Sequence, residues 1–405
     1  MRILFLITQD LESPYGVGRF MPLARELSKA GHNVGVMALH SNYSELKKRK
    51  FLKENIYVHY VGPMHVLKKG STKEYYSTLK LVLISFWATL RLTQEVLKYD
   101  ADIIHIGKPH PMNGFAGYMA KKIKNKPLLV DSDDLEININ RFQGLWQKYI
   151  IDIFEKWITH HADHITTNTH FNVTRYLMEG ISSKKITYLP NGVDFERFKH
   201  PDKDLISSLR KNLNLSRKKV IAYIGSLSID SHPIDILINA FSKVHTIDPD
   251  TVLLIVGGGE SYNYLRNYSA SLDIGSHIIF TGRVSPDKIV LYYFISDITV
   301  DPIYDDDTAK SRSPLKLFES WACRKPFITG DVGDRRKIIG EPPAGLLIKA
   351  GDPDSLANAI LKLLRSPEMV KEIIEQSDIR AKIYSWENHA EKLVDLYNSI
   401  LGIEN

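Results

Sequence analysis

The run Ser311-Arg312-Ser313-Pro314-Leu315-Lys316-Leu317-Phe318-Glu319 holds residue types that can grip a phosphorylated, hydroxyl-rich ligand. Ser313 reads as a helix N-cap and Pro314 as the first helical residue, where the missing N–H has no intrahelical partner to lose. A helix start offers unpaired N–H groups and the positive end of a dipole to an anion, and Arg312 and Lys316 add full charges beside the Ser313-Pro314-Leu315 turn. Glu319 follows Lys316 by three residues and shares its face, about 9 Å along the axis from Ser313 at ~1.5 Å per residue. A carboxylate there can accept hydrogen bonds from sugar hydroxyls. Spacing alone leaves a second reading open, a capped amphipathic helix with a surface Lys–Glu pair.

Other sites of potential chemistry fall where strands should end. Pro14-Tyr15-Gly16-Val17-Gly18-Arg19-Phe20 reads as a loop between a first strand and a first helix, and Gly16 and Gly18 either let backbone approach a ligand or serve a tight turn. His105 lies inside a strand and reads as a packed core histidine, whereas His110, beyond the strand end, is the candidate for chemistry. Asp131-Ser132-Asp133-Asp134 can hold a metal or cap a helix, and capping is the expectation. In the second half, glycines close the strands at Gly225, at 257–259 and at Gly282, which Arg283 follows.

The elements that position these residues alternate strand and helix. Strands are expected at Ile3–Ile7, Asn33–Leu39 and Asp102–Gly107, and a helix over Pro22–Ala30 ending at Gly31. Tyr75 to Lys98 is a long helical stretch, apolar enough to be mostly core. The later half repeats the rhythm with strands at Lys219–Ile224, Thr251–Val256, Ile278–Phe280 and Asp297–Val300, so each half predicts a doubly wound parallel sheet. With 405 residues and 43% hydrophobic content, the chain has material for two such domains.

The single cysteine, Cys323, excludes an internal disulfide and reads as a buried thiol, which suits a reducing compartment; cytoplasmic placement is expected. The opening Met1–Ile7 reads as a strand rather than a leader. The longest apolar run, Leu81 to Leu90, is about half the ~20 residues that span a bilayer. Net charge is +6, and residues 1–190 carry the surplus, with roughly 26 lysines and arginines against 17 acids. Clusters at 47–53, 68–69 and 121–126 are solvated surface or attract anionic lipid headgroups. No module for nucleic acid accompanies them.

The segment from Ser313 to Gly333, the glycine loop at Gly16 and Gly18, and the run Leu189-Pro190-Asn191-Gly192-Val193-Asp194 together resemble the GT-B glycosyltransferases of glycosyltransferase family 4, in order and over nearly the whole chain. The resemblance implies two Rossmann-like domains facing a central cleft. Residues 1–192, with a terminal helix 385–405 crossing back, form the acceptor side; residues 193–384 bind the nucleotide-sugar. It implies a retaining, metal-independent transferase moving a sugar from a nucleotide-diphosphate donor to a hydroxyl acceptor, with no cofactor. Glu319 becomes the ribose ligand; Lys316, Arg312, Ser313, Pro314, Leu315, Gly225, Gly282 and Arg283 lie by the donor; Tyr15, Gly16, Gly18, His110 and Asp131 lie by the acceptor; and His110, Lys316 and Glu319 are the catalytic candidates. The basic first half suggests a lipid-linked acceptor and an anionic membrane surface.

The chain also departs from that pattern. Ser311 stands where the first of two glutamates is usual, Ser226 and His232 stand where Arg and Lys hold the diphosphate, and Gly107 stands at the usual strand-end histidine. Two alternatives follow, a non-catalytic relative that binds nucleotide or glycan, and a nucleotide-sugar epimerase of the same fold.

Overall fold

A computed structural model describes residues 1–69, 72–135 and 144–403. They form two compact units: Met1–Asn191 with Ser311–Ser313 and Trp386–Asn405, and Gly192–Lys310 with Pro314–Ser385. Ser311–Ser313 thus packs with the first unit although it lies deep in the second stretch of sequence.

In the first unit, β1 (Arg2–Ile7) is followed by a helical run that becomes α1 (Met21–Lys29) and then by β2 (Asn33–His40). Next come β3 (Lys50–Lys53), β4 (Ile56–Pro63), and the hairpin β5 (Val66–Lys69) and β6 (Thr72–Tyr75). The remainder is α2 (Thr78–Lys98), β7 (Ile103–Gly107), α3 (Pro111–Lys124), β8 (Leu128–Ser132), α4 (Leu145–His161), β9 (His164–Thr167), α5 (His170–Met178) and β10 (Ile186–Tyr188). The sheet order is β10-β9-β8-β7-β1-β2-β4-β3, parallel except for the β3–β4 pair.

Side-chain alternation divides the core between the two faces of this sheet. Ile3, Phe5 and Ile7 point toward α1 and the terminal helix Trp386–Leu401, while Leu4 and Leu6 point toward α2, α3 and α4. His105 is wholly buried, with Nδ1 2.7 Å from the Tyr397 hydroxyl and Nε2 3.3 Å from Thr166 Oγ1, so the core reading of this residue holds.

Two expectations for this unit change. Pro14–Phe20 is helical rather than a loop: the Val17 N–H bonds to the Ser13 carbonyl, and the Met21 N–H reaches back five residues to Gly16, a wide turn that runs into α1. Gly16 is needed because a Cβ there would lie 2.6 Å from the Asp10 carbonyl oxygen. Nor is α2 mostly core. Only Ala88, Leu92 and Val96 are buried along its 21 residues, because its apolar residues occupy two opposite faces and only the later one meets the sheet.

The second unit is built on β11 (Lys219–Ile224), β12 (Thr251–Val256), β13 (Ile278–Phe280), β14 (Ile298–Asp301), β15 (Phe327–Gly330) and β16 (Leu346–Ile348), all parallel, in the order β13-β12-β11-β14-β15-β16. Helices Ile234–Ile247 and Pro353–Arg365 cover one face, and helices Lys203–Asn212 and Ile289–Ile295 the other. The helix Leu315–Ala322 packs by Leu317, Phe318 and Trp321 on Phe327 and Ile338. Cys323 at its end is buried, and burial raises its thiol pKa.

Candidate functional site

In the second unit the first three strands end in glycines that draw their backbones together. The Gly225 N–H bonds to the Val256 carbonyl and the Gly257 N–H to the Gly282 carbonyl. A Cβ on Gly257, which has φ +140°, would lie 1.9 Å from the Gly225 oxygen, so no larger residue fits. Gly225 also clears space for a side chain, since a Cβ there would be 2.6 Å from Cε of Lys316.

Lys316 is drawn to this spot by charge. Its Nζ donates to Asp301 Oδ1 at 2.9 Å, at the end of β14, and stands 5.2 Å from the centre of the Tyr223 ring. Asp301 is 5% exposed and also faces Arg335 Nη2 at 3.8 Å. Burial pushes the Asp301 carboxyl up, but Lys316, His232 and Arg335 together outweigh it and hold the group below the ordinary carboxylate range. One buried carboxylate therefore sits between two permanent cations, leaving the cluster net positive.

Glu319 lies one turn further along the same helix, only 11% exposed. Arg197 Nη1 donates to its Oε1 at 3.0 Å and the buried Tyr293 hydroxyl donates to its Oε2 at 2.7 Å. An ionised carboxylate has about four lone-pair sites, so two described donors orient it and leave room for two hydroxyls of a ligand.

The local helix start differs from the sequence reading. The helix begins at Leu315, and Pro314 is non-helical with ψ 87° and takes the capping position, so Ser313 is not the cap. Ser313 is instead bound in the first unit, its Oγ accepting the Asn191 N–H at 3.0 Å and its carbonyl accepting Asn191 Nδ2 at 3.1 Å. Arg312 is likewise in that unit, 3.5 Å from Asp134. Of the expected donor residues, the structure groups Gly225, Lys316 and Glu319, with Gly282 at the neighbouring strand end. Arg283 is exposed, and Arg312 and Ser313 belong to the other unit.

The first unit has its own polar cluster at the ends of β1, β7 and β8. His110 Nδ1 is 2.7 Å from Thr8 Oγ1, and both residues are buried. Lys108, with φ +63°, places Nζ 2.6 Å from Asp134 and 3.2 Å from Asp133, over the Tyr15 ring. Burial pushes the Asp133 carboxyl well up; Lys108 opposes this, and Asp134 and Asp131 add to it, so Asp133 keeps its proton to higher pH than an ordinary aspartate. Within the described residues Asp133 and Asp134 of the carboxylate run are held by Lys108, and the segment that the run was expected to cap lies outside the described residues. Among the described residues no group of three or more histidine, cysteine or acidic side chains is arranged to hold a metal.

Asp131 also takes a different role from the one expected. Arg19 donates to both of its oxygens at 2.7 Å, the Tyr15 hydroxyl donates to Oδ2 at 3.1 Å and Thr166 Oγ1 to Oδ1 at 2.6 Å. Four donors fill the carboxylate, so Asp131 and Tyr15 serve as internal supports rather than acceptor ligands. Arg19 continues to the Leu189 carbonyl and Asn191 Oδ1, both at 3.0 Å, fastening the turn at which the first unit ends. His110, the other acceptor-side candidate, is buried beside Thr8 at the end of β7.

Sequence reasoning missed Arg19, Lys108, Arg197, Tyr293 and Arg335. Arg19 had a usable signal, since an arginine at the head of an apolar helix must find a carboxylate; the others are paired only by the fold.

Comparison with known proteins adds two family matches. The family model described as Glycosyltransferase Family 4 matches residues 16–197, and that described as Glycosyl transferases group 1 matches residues 206–380. A curated relative is the GDP-mannose-dependent alpha-(1-6)-phosphatidylinositol monomannoside mannosyltransferase of Mycolicibacterium smegmatis, 26% identical over 208 residues, which are 51% of this chain and 54% of that protein. The chain spans about half the length of this curated relative. Among solved structures, sucrose-phosphate synthase from Thermosynechococcus elongatus has a TM-score of 0.78 at 19% identity over all of both chains. Anabaena HepE in complex with UDP-glucose has a TM-score of 0.74 at 17% identity, over 98% of this chain and 100% of that one.

Proposed function

The chain belongs to the family 4-like glycosyltransferases of GT-B fold, and from that premise we propose that it transfers a sugar, with retention of configuration, from a nucleotide-diphosphate sugar to a hydroxyl acceptor. The observation that carries this reading is the pairing in the second unit of an oriented carboxylate, Glu319, with a lysine held over a glycine strand end, Lys316. Glu319 accepts the ribose hydroxyls. Lys316 meets the charge that grows on the departing diphosphate, which is where transition-state stabilisation is worth most. Arg283, exposed beyond Gly282, supplies a further cation, and no metal is needed for these roles.

On the first unit, His110 orients the acceptor hydroxyl, while the leaving phosphate takes the acceptor proton as the new glycosidic bond forms on the same face. The acceptor is lipid-linked and the reaction cytoplasmic in this reading. The relative that acts on a phosphatidylinositol mannoside and the structure holding UDP-glucose support the classes of acceptor and donor.

The test is thermal stabilisation by UDP, GDP and ADP, followed by transfer from the matching labelled sugar donor. Saturation at about a hundred times Kd adds ~2.7 kcal/mol of stability. A base-selective shift, lost in Glu319→Ala and in Lys316→Ala, followed by acceptor-dependent transfer, is the expected result. A shift without transfer would establish the non-catalytic alternative, acceptor-independent conversion of the donor would establish the epimerase, and no shift with any nucleotide would overturn the donor site.

A further inference from the structure

The second face of α2, which the sheet does not cover, is a continuous apolar stripe. Leu79, Val82, Leu83, Phe86, Trp87 and Leu90 follow the i, i+3, i+4, i+7 spacing of one helix face, and each is between 36% and 73% exposed. The first half of α4 repeats the pattern, with Trp146, Tyr149, Ile150 and Ile153 all 47% exposed or more. Phe115, on α3 between them, is 40% exposed.

These residues fall together for a topological reason. The helices α2, α3 and α4 lie on one face of the sheet and share one core, to which they contribute Ala88 and Leu92, Ala116 and Ala120, and Ile158. Each leads by a short connection into one of the neighbouring parallel strands β7, β8 and β9, so the last turns of all three lie where those strands begin and the first turns at the opposite edge of the sheet, where β7 and β8 end and His110 stands. The exposed residues occupy those first halves. They form one apolar band beside the acceptor-side cluster.

Along the exposed halves of α2 and α4 the described charges are mainly cationic. Lys80 and Arg91 are the only ionisable side chains from Thr78 to Thr93, and Lys148 is exposed at the start of α4. Among the described residues of these two half-helices the one acid, Asp152, is paired with Lys156 at 2.8 Å. Two of the lysine clusters prominent in the sequence are not part of the band: Lys121 is held by Asp163, Lys124 by the Tyr99 carbonyl and Lys50 near Glu95, all toward the opposite ends of these helices.

We propose that this band seats the first unit on an anionic lipid surface, with the aromatic and aliphatic side chains at the headgroup boundary and Lys80, Arg91 and Lys148 meeting the phosphates. No described helix is long and apolar enough to cross a membrane, so the helices lie on it. Cationic margins select a lipid surface over a second copy of the same face, because two such faces would set like charges together. The docking deepens the lipid-linked acceptor reading by bringing the His110 edge of the sheet to the layer where a lipid-borne hydroxyl resides, and it is tested by binding alone, apart from transfer.

The experiment is co-sedimentation of the full chain with phosphatidylcholine vesicles containing about 30% phosphatidylglycerol, with pure phosphatidylcholine alongside, while the emission of Trp87 and Trp146 is followed. The expected result is salt-weakened binding to the anionic vesicles with a blue shift, reduced at least tenfold in Phe86→Ser/Trp87→Ser and in Trp146→Ser/Ile150→Ser. Met178→Ser, an 83% exposed apolar position outside the band, should bind as wild type does. All these positions are exposed, so circular dichroism should be unchanged. Binding within twofold of wild type in both band variants would overturn the proposal, as would no binding by wild type. So would loss of binding only in Lys80→Gln/Arg91→Gln, or a dimer that the band substitutions dissociate in the absence of lipid.

Discussion

Replacing Asp131 by asparagine separates a structural support from an acceptor ligand. The change preserves shape but removes the charge facing Arg19, and both side chains are only 2% exposed. The new amide also points an N–H₂ at one pair of donors, either Arg19 Nη2 with the Thr166 hydroxyl or Arg19 Nε with the Tyr15 hydroxyl, where four donors now converge on two oxygens. Leaving one member of a buried ion pair uncompensated destabilises by about 3–5 kcal/mol. For a unit of roughly 200 residues, where 1 kcal/mol shifts Tm by about 2–4 °C, the expected fall is on the order of 6–20 °C. Circular dichroism melts measure it. Trp386 emission reports the same event locally, because the Arg19 guanidinium lies 5.8 Å from the centre of its ring. Thr166→Val removes a single hydrogen bond to the charge and should lower stability by about 1.5–3 kcal/mol, a smaller effect in the same direction. Well below the melting temperature Asp131→Asn should keep the wild-type KM for acceptor. A variant that melts within 2 °C of wild type, roughly the shift of 1 kcal/mol, but has an acceptor KM raised tenfold would refute the reasoning and return Asp131 to the acceptor site.

Two further outcomes follow from glycine packing and from histidine burial. Gly257→Ala must place a methyl 1.9 Å from a backbone oxygen at φ +140°, so the protein should lose several kcal/mol and fold poorly, whereas Gly225→Ala meets side chains rather than backbone, the flexible end of Lys316 at 2.6 Å and the Tyr223 hydroxyl at 3.0 Å, and should stay folded while binding nucleotide at least tenfold more weakly; a Gly225→Ala protein with native nucleotide affinity would show that Lys316 does not need its present place. Burial, aided by Arg19 and opposed by Asp131, lowers the His105 pKa to about 4. The fold therefore holds a neutral ring while the unfolded chain takes up a proton near pH 6.5, so this contribution is complete above pH 6.5 and declines between pH 6.5 and 4. At pH 5 it should have removed about 2 kcal/mol relative to pH 7, and His105→Gln should show a correspondingly flatter loss of Tm with acid; an unchanged acid slope would mean the ring is already charged in the fold.

Much of the scaffold was legible in the sequence because it depends on short-range pattern. Alternating apolar runs closed by glycine located β11 and β12 to the residue, and strand alternation identified His105 as core. What pattern could not supply was partnership. Asp131 meets an arginine 112 positions away, and Glu319 meets one 122 positions away, so their roles depend on which strand ends the topology gathers. The same limit explains α2. Its apolar content was plain, but hydropathy records that a face is apolar and not whether a neighbour covers it. Ser313 shows a finer version, in which a residue of good capping type is taken by the Asn191 backbone and side chain instead.

The altered phosphate positions then acquire a physical meaning. Family-pattern Arg and Lys would bring two mobile cations to the end of β11, where this chain has the exposed Ser226 and the half-buried His232. The structure offers instead one lysine already fixed between Asp301 and the Tyr223 ring, with Arg335 on the far side of the same carboxylate. A lysine side chain carries about 2 kcal/mol of rotamer entropy, and holding it in place before the ligand arrives removes much of that loss from binding. Asp301 offsets part of the charge, yet two cations around one carboxylate leave a net positive site at the strand end. Fewer cations, held more rigidly, can therefore meet the charge of a leaving diphosphate provided Lys316 is already where that charge develops. That condition depends on Gly225 and Asp301 as much as on the lysine itself.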